Sequence, residues 1–116
     1  MLEENPYLSI VGESGGADHA LADLHEIQPD AIILDSRLPG GGGMRILVES
    51  KKKYPDMLAI VFTAFPYPQH RKAFLAAGAD YFLDKTADQQ KLTHLLASLA
   101  RIFIVNRNNA ARGKHR

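Results

Sequence analysis

The run Ala31-Ile32-Ile33-Leu34-Asp35-Ser36-Arg37-Leu38-Pro39-Gly40 constrains the fold of this chain more than any other stretch. Four consecutive apolar residues bounded by polar ones predict a short strand, fully buried. A carboxylate stands where that strand ends, and Leu38-Pro39-Gly40 prevents a helix from starting at once. An aspartate after a strand ordinarily serves as a cap or turn residue. Two later runs give Asp35 a second reading. Ala59-Ile60-Val61-Phe62 is apolar and ends in Thr63, and Tyr81-Phe82-Leu83 is apolar and ends, past Asp84, in Lys85. An acid, a hydroxyl and an ammonium thus terminate three predicted strands, with helix-like segments between them. In an open parallel sheet the carboxyl ends of the strands line one crevice, where such folds bind ligands.

The intervening segments carry helical signals. Ala17, Ala20, Leu21, Leu24 and Ile27 keep a period near 3.6, and Pro29-Asp30 ends that helix. A second helix is predicted over residues 44–54, with Met44, Ile46, Leu47 and Val48 available to the sheet. Lys51, Lys52 and Lys53 at its end suit the helix dipole and read as a solvated face. Pro66-Tyr67-Pro68 marks a loop before a helix over about residues 69–77, closed by Gly78. Asp88 is positioned to cap a last helix striped with Leu92, Leu95, Leu96 and Leu99. Leu8-Ser9-Ile10-Val11 reads as a further strand, preceded by a helical turn stopped at Pro6. Strands alternating with helices of this length predict an α/β fold with a parallel sheet.

At 116 residues the chain is expected to form one domain with a core that needs no staples. It has no cysteine, which excludes disulfides and thiol chemistry and fits a reducing cytoplasm. No apolar run is long enough to span a bilayer, and no membrane partner is expected. The five histidines show no metal spacing. The glycines at 40–43 let backbone amides approach an anion, but no lysine follows to make a nucleotide-binding loop. Net charge is +1, with Arg101, Arg107, Arg112, Lys114 and Arg116 in an acid-free terminal stretch that reads as a solvated end.

The residues Leu34-Asp35 with Leu38-Pro39 and Gly43, then Phe62-Thr63-Ala64, then Ala77-Gly78-Ala79-Asp80 leading to Lys85, resemble the receiver domain of two-component response regulators. The resemblance covers roughly residues 1–100. Ile10-Val11-Gly12-Glu13 and Leu83-Asp84-Lys85-Thr86 are in the style of receivers that precede helix-turn-helix DNA-binding domains. The resemblance implies a flavodoxin-like, three-layer doubly wound sheet of five parallel strands in the order 2-1-3-4-5. It also implies Asp35 as phosphoacceptor, Thr63 as switch hydroxyl, Phe82 as aromatic switch position and Lys85 as counter-charge to the phosphate. The implied partner is a histidine kinase or phosphotransfer protein, with DNA reached only through an output domain outside this chain. A phosphoacceptor of this kind is a signalling protein rather than an enzyme.

Counted from residue 1, the sequence supplies only four of the five strands. The family's first strand is central and ends in a pair of acids that hold Mg²⁺. Losing it would remove ladder bonds and buried side chains that rival the ~5–15 kcal/mol stability of a whole domain. Arg101-Ile102-Phe103-Ile104-Val105-Asn106-Arg107 resembles that opening strand, and residues 108–116 resemble the start of the first helix. On this reading the chain is a circularly permuted receiver. Residues 1–100 run from the second strand to the last helix, and residues 101–116 supply the displaced first strand. Two alternatives stand beside it. Residues 102–105 prolong the last helix, because Leu95, Leu99, Ile102 and Phe103 keep its period, or the strand is exchanged between two copies in a swapped homodimer.

The resemblance implies Mg²⁺ held by Asp35, by the main-chain carbonyl of Arg37 and by an acid after the first strand. On the permuted reading the acid pair has become Asn106-Arg107. Asn106 still offers a carbonyl, whereas Arg107 puts a cation in the metal's slot. Three function readings follow: a phosphoacceptor, a pseudo-receiver acting as a constitutive interaction module, and a small α/β enzyme using Asp35 and Lys85 as acid and base. The third lacks a nucleophile and a separate substrate pocket.

Overall fold

The computed structural model describes residues 17–38, 42–99 and 101–105. The elements run α1 (Ala17–Ile27), β1 (Ala31–Leu34), α2 (Gly42–Lys53), β2 (Leu58–Thr63), α3 (Pro68–Ala76), β3 (Tyr81–Asp84), α4 (Gln89–Leu96) and β4 (Ile102–Val105). The strand expected at residues 8–11 lies outside the described residues, as do Asn106 and Arg107.

Helix α1 buries Ala20 and Leu24 from its predicted stripe. It closes at Gln28, which takes a left-handed φ of 47° and donates its N–H to Leu24 O at 2.9 Å. Helix α2 starts two residues before the predicted Met44, because Gly42 and Gly43 join its first turn, and both are buried. Val48 does not face the sheet as expected; it is exposed, and Ser50 is buried. Lys51 is no solvated charge either. Its Nζ donates to Pro55 O, Met57 O and Asp80 Oδ2 at 3.1, 2.9 and 3.1 Å, tying the end of α2 to the start of two strands. Asp80 Oδ2 also accepts from the Ala59 N–H at 2.8 Å.

Helix α3 takes Pro68 into its first turn rather than leaving it in the loop, since a proline there forgoes no helical bond. Gly78 follows its end at φ 115°, a conformation that favours glycine. Asp88 occupies the N-cap position of α4 but makes no side-chain cap bond. Its Oδ2 accepts instead from the Asp84 N–H at 2.9 Å, closing the turn that carries Lys85.

The four described strands form one parallel sheet in the order β3-β2-β1-β4. Ala31 stands between Leu58 and Ile102, and Leu34 between Val61 and Val105. Residues 102–105 therefore do not prolong the last helix. The chain leaves α4 after Leu96 and returns as a strand beside the one that leads to Asp35. The helical period of Leu95, Leu99, Ile102 and Phe103 loses to two-sided burial, because all four residues of β4 are buried.

Alternation sorts the strand residues between two cores. Ile32, Leu34, Val61, Phe82, Phe103 and Val105 pack with α1, α2 and Phe74 of α3. Ala31, Ile33, Ile60, Leu83, Ile102 and Ile104 pack with Leu92 and Leu96 of α4 on the other face. Successive units step from β1 to β3 in one direction, and the chain then steps back across the sheet to β4. Keeping the same crossover hand requires the returning helix to change faces, as α4 does.

Candidate functional site

Parallel strands bring their carboxyl ends to one edge, and there the three residues singled out by sequence meet. Asp35 directly follows β1 and is buried, with 7 % of its surface exposed. Its backbone N–H continues the ladder to Val105 O at 3.2 Å. Lys85 follows β3, its N–H bonded to Thr63 O at 2.8 Å, and its Nζ lies 3.4 Å from Asp35 Oδ2. Thr63 ends β2 and is fully buried. Phe82 lies inside the core rather than in the crevice, its ring 6.1 Å from that of Phe74. Its carbonyl accepts from Arg71 Nη1 at 3.1 Å, which links the start of α3 to β3.

The turn after β1 is shaped by the acid itself. The Arg37 N–H donates to Asp35 Oδ1 at 2.8 Å, a local side-chain turn of the kind aspartate favours. Gly43 lets α2 abut this turn, since a Cβ there would lie 2.8 Å from the Asp35 carbonyl oxygen. One carboxylate oxygen is thus fixed by a peptide N–H, and the other faces an ammonium at the limit of a hydrogen bond.

Three contacts escaped the sequence reading. Ser36 Oγ donates to Thr63 Oγ1 at 2.9 Å, and the Phe65 N–H donates to the same oxygen at 3.0 Å. The Arg37 guanidinium sits over the Phe65 ring, 4.2 Å from its centroid, a cation–π contact at the mouth of the crevice. No spacing rule links these partners; only the parallel fold makes neighbours of the loops after β1 and β2.

Magnesium is commonly held through one or two carboxylates together with water and phosphate oxygens. The described crevice offers it the buried carboxylate of Asp35; the resemblance adds the main-chain carbonyl of Arg37, in the turn that follows. Among the described residues no three His, Cys, Asp or Glu side chains gather into a metal cluster. The fit is therefore minimal, resting on one described acid. Asn106 and Arg107, the other residues expected at this slot, lie outside the described residues. Among the described residues no helix is long and apolar enough to cross a membrane.

Comparison with known proteins agrees with this geometry. The model of the response regulator receiver domain family matches residues 1–97. The DNA-binding transcriptional activator DevR/DosR of Mycobacterium tuberculosis is 27% identical over 113 residues, covering 96% of this chain and 52% of that protein. The response regulator protein VraR of Staphylococcus aureus is 26% identical over 94 residues, 81% of this chain and 45% of that one. The chain thus spans about half the length of these relatives. Among solved structures, NtrX from Brucella abortus matches 88% of this chain and 22% of its own with a TM-score of 0.62 at 20% identity, a likeness of fold.

Proposed function

The chain belongs to the response regulator receiver domain family, and from that premise we propose that Asp35 accepts a phosphoryl group in a two-component phosphorelay. The observation that supports this most is the convergence on one crevice of a buried carboxylate, an ammonium 3.4 Å away and a buried hydroxyl. The donor is a phosphohistidine on a histidine kinase or phosphotransfer protein, or a small acyl phosphate.

Phosphoryl transfer to a carboxylate is governed by charge, because incoming oxygens meet an anion. The Arg37 N–H holds Oδ1, which leaves Oδ2 as the nucleophile. Oδ2 forms a bond to phosphorus while the bond from phosphorus to the donor atom breaks, and the electron pair leaves with the donor. Lys85, already beside Oδ2, neutralises the phosphoryl oxygens that arrive there. The Thr63 hydroxyl donates to one of them, and Phe82, three residues before Lys85, transmits the change to β3 and α3. A bound Mg²⁺, held by Asp35 and the Arg37 carbonyl, would supply further positive charge to the same oxygens.

We further propose that β4 takes the part of the family's first strand, so that the chain is a receiver permuted in order. The parallel ladder from Ile102–Val105 to Ala31–Leu34 supports this. By analogy with the longer relatives, this cytoplasmic domain acts by switching protein contacts or a DNA-binding output, without an enzymatic activity of its own on other substrates. The pseudo-receiver alternative rests on Asn106 and Arg107, and no described contact favours it.

Intact-mass measurement after incubation with acetyl phosphate and Mg²⁺ tests the reading. The expected result is the gain of one phosphoryl group, absent from Asp35→Asn. An unlabelled wild-type protein, or a labelled Asp35→Asn, would overturn it.

A further inference from the structure

Ser36 has no part in the transfer described above, yet it is the residue next to the acceptor and its hydroxyl reaches the switch hydroxyl. A hydroxyl carries one proton and two lone pairs. The Phe65 N–H fills one acceptor position of Thr63 Oγ1 at 3.0 Å, and Ser36 Oγ fills the other at 2.9 Å. What Thr63 has left is its own proton, which it can only donate. Thr63 is fully buried, where an unspent donor is costly, so this proton is driven toward a strong acceptor at the crevice.

We propose that Ser36 is a positioning residue that fixes the Thr63 hydroxyl as an obligate donor to the phosphoryl group on Asp35. The arrangement is self-aligning, because the turn that carries the acceptor also carries the group that orients its partner. Bonds in such a chain polarise one another, so the Ser36 donation strengthens the donation that Thr63 makes in turn. Removing Ser36 Oγ frees a lone pair on Thr63 and lets its hydroxyl rotate to accept instead. This inference rests on the phosphoacceptor reading of Asp35.

The test compares initial rates of labelling by acetyl phosphate with Mg²⁺ in the full chain and in Ser36→Ala, Ser36→Thr, Thr63→Ala and the Ser36→Ala/Thr63→Ala pair. Circular dichroism checks that each variant is folded. Ser36→Ala is expected to slow labelling about fivefold, the worth of one neutral hydrogen bond. Ser36→Thr, which keeps the hydroxyl, restores the rate. In the Thr63→Ala background, removing Ser36 has no further effect. Equal losses in both backgrounds would show that Ser36 acts independently of Thr63 and overturn the proposal. An unchanged or faster Ser36→Ala would do the same, since it means that Thr63 donates to Ser36 at rest. A wild-type protein that takes no phosphoryl group would instead remove the Asp35 reading, and this proposal with it.

Discussion

Gly43 sets how near helix α2 comes to the Asp35 turn, and the clearance leaves no room for a side chain. A methyl group there would meet the Asp35 carbonyl oxygen at 2.8 Å, and that oxygen is backbone. Gly43→Ala is therefore expected to destabilise the fold by ~1–3 kcal/mol, as overpacking does, measured as a lower urea midpoint at unchanged slope. The role proposed for Lys85 is in chemistry instead. Its Nζ is partly exposed and only 3.4 Å from Asp35 Oδ2, so the pair contributes little to folding. Lys85→Ala is expected to leave the urea midpoint nearly unchanged while slowing acetyl phosphate labelling by roughly 10²-fold, the usual cost of a lost charge-stabilising donor. Asp35, Thr63 and Lys85 were legible because each ends an apolar run, and parallel strands bring such ends together. Ser36 with Thr63, 27 residues apart, was not, because side-chain pairing between loops leaves no period in the sequence.

At the scale of elements, β4 decides the most. Ile102 and Ile104 face the α4 core while Phe103 and Val105 face the α1–α2 core, so the strand holds both layers to the sheet. Phe103 is fully buried, and Phe103→Ala is expected to cost ~3–5 kcal/mol by calorimetry or urea unfolding. That is a large share of a typical domain's ~5–15 kcal/mol, so this variant should be close to unfolded at 37 °C. A stretch lying on a solvated helix extension would tolerate the change within about 1 kcal/mol. The sequence left strand and helix both open here, since four apolar residues satisfy either pattern and no glycine or proline divides them from α4. What separates the two is tertiary: the place beside β1 needs a partner apolar on both faces. Helix ends were legible to within a residue or two, as at α1 and α3. The Asp88 cap was not, because the same carboxylate serves the turn before it.

At the scale of the molecule, and among the described residues, three helices pack on one face of the sheet and α4 on the other, and the loops after β1, β2 and β3 converge at its carboxyl edge. The architecture was legible from the alternation of short apolar runs with amphipathic stretches, which admits few topologies once crossover hand is fixed. The proposed metal slot was less so, because the residues expected for it after β4, Asn106 and Arg107, belong to no apolar pattern. The central claim is that this crevice carries the phosphoryl group on Asp35. It is tested most directly by reducing the labelled protein with borohydride, which converts an aspartyl phosphate to homoserine, and then sequencing its peptides by mass spectrometry. Conversion at Asp35 alone is the predicted result, and conversion at Asp30 or Asp84, or a phosphoryl group retained on a histidine, would contradict it.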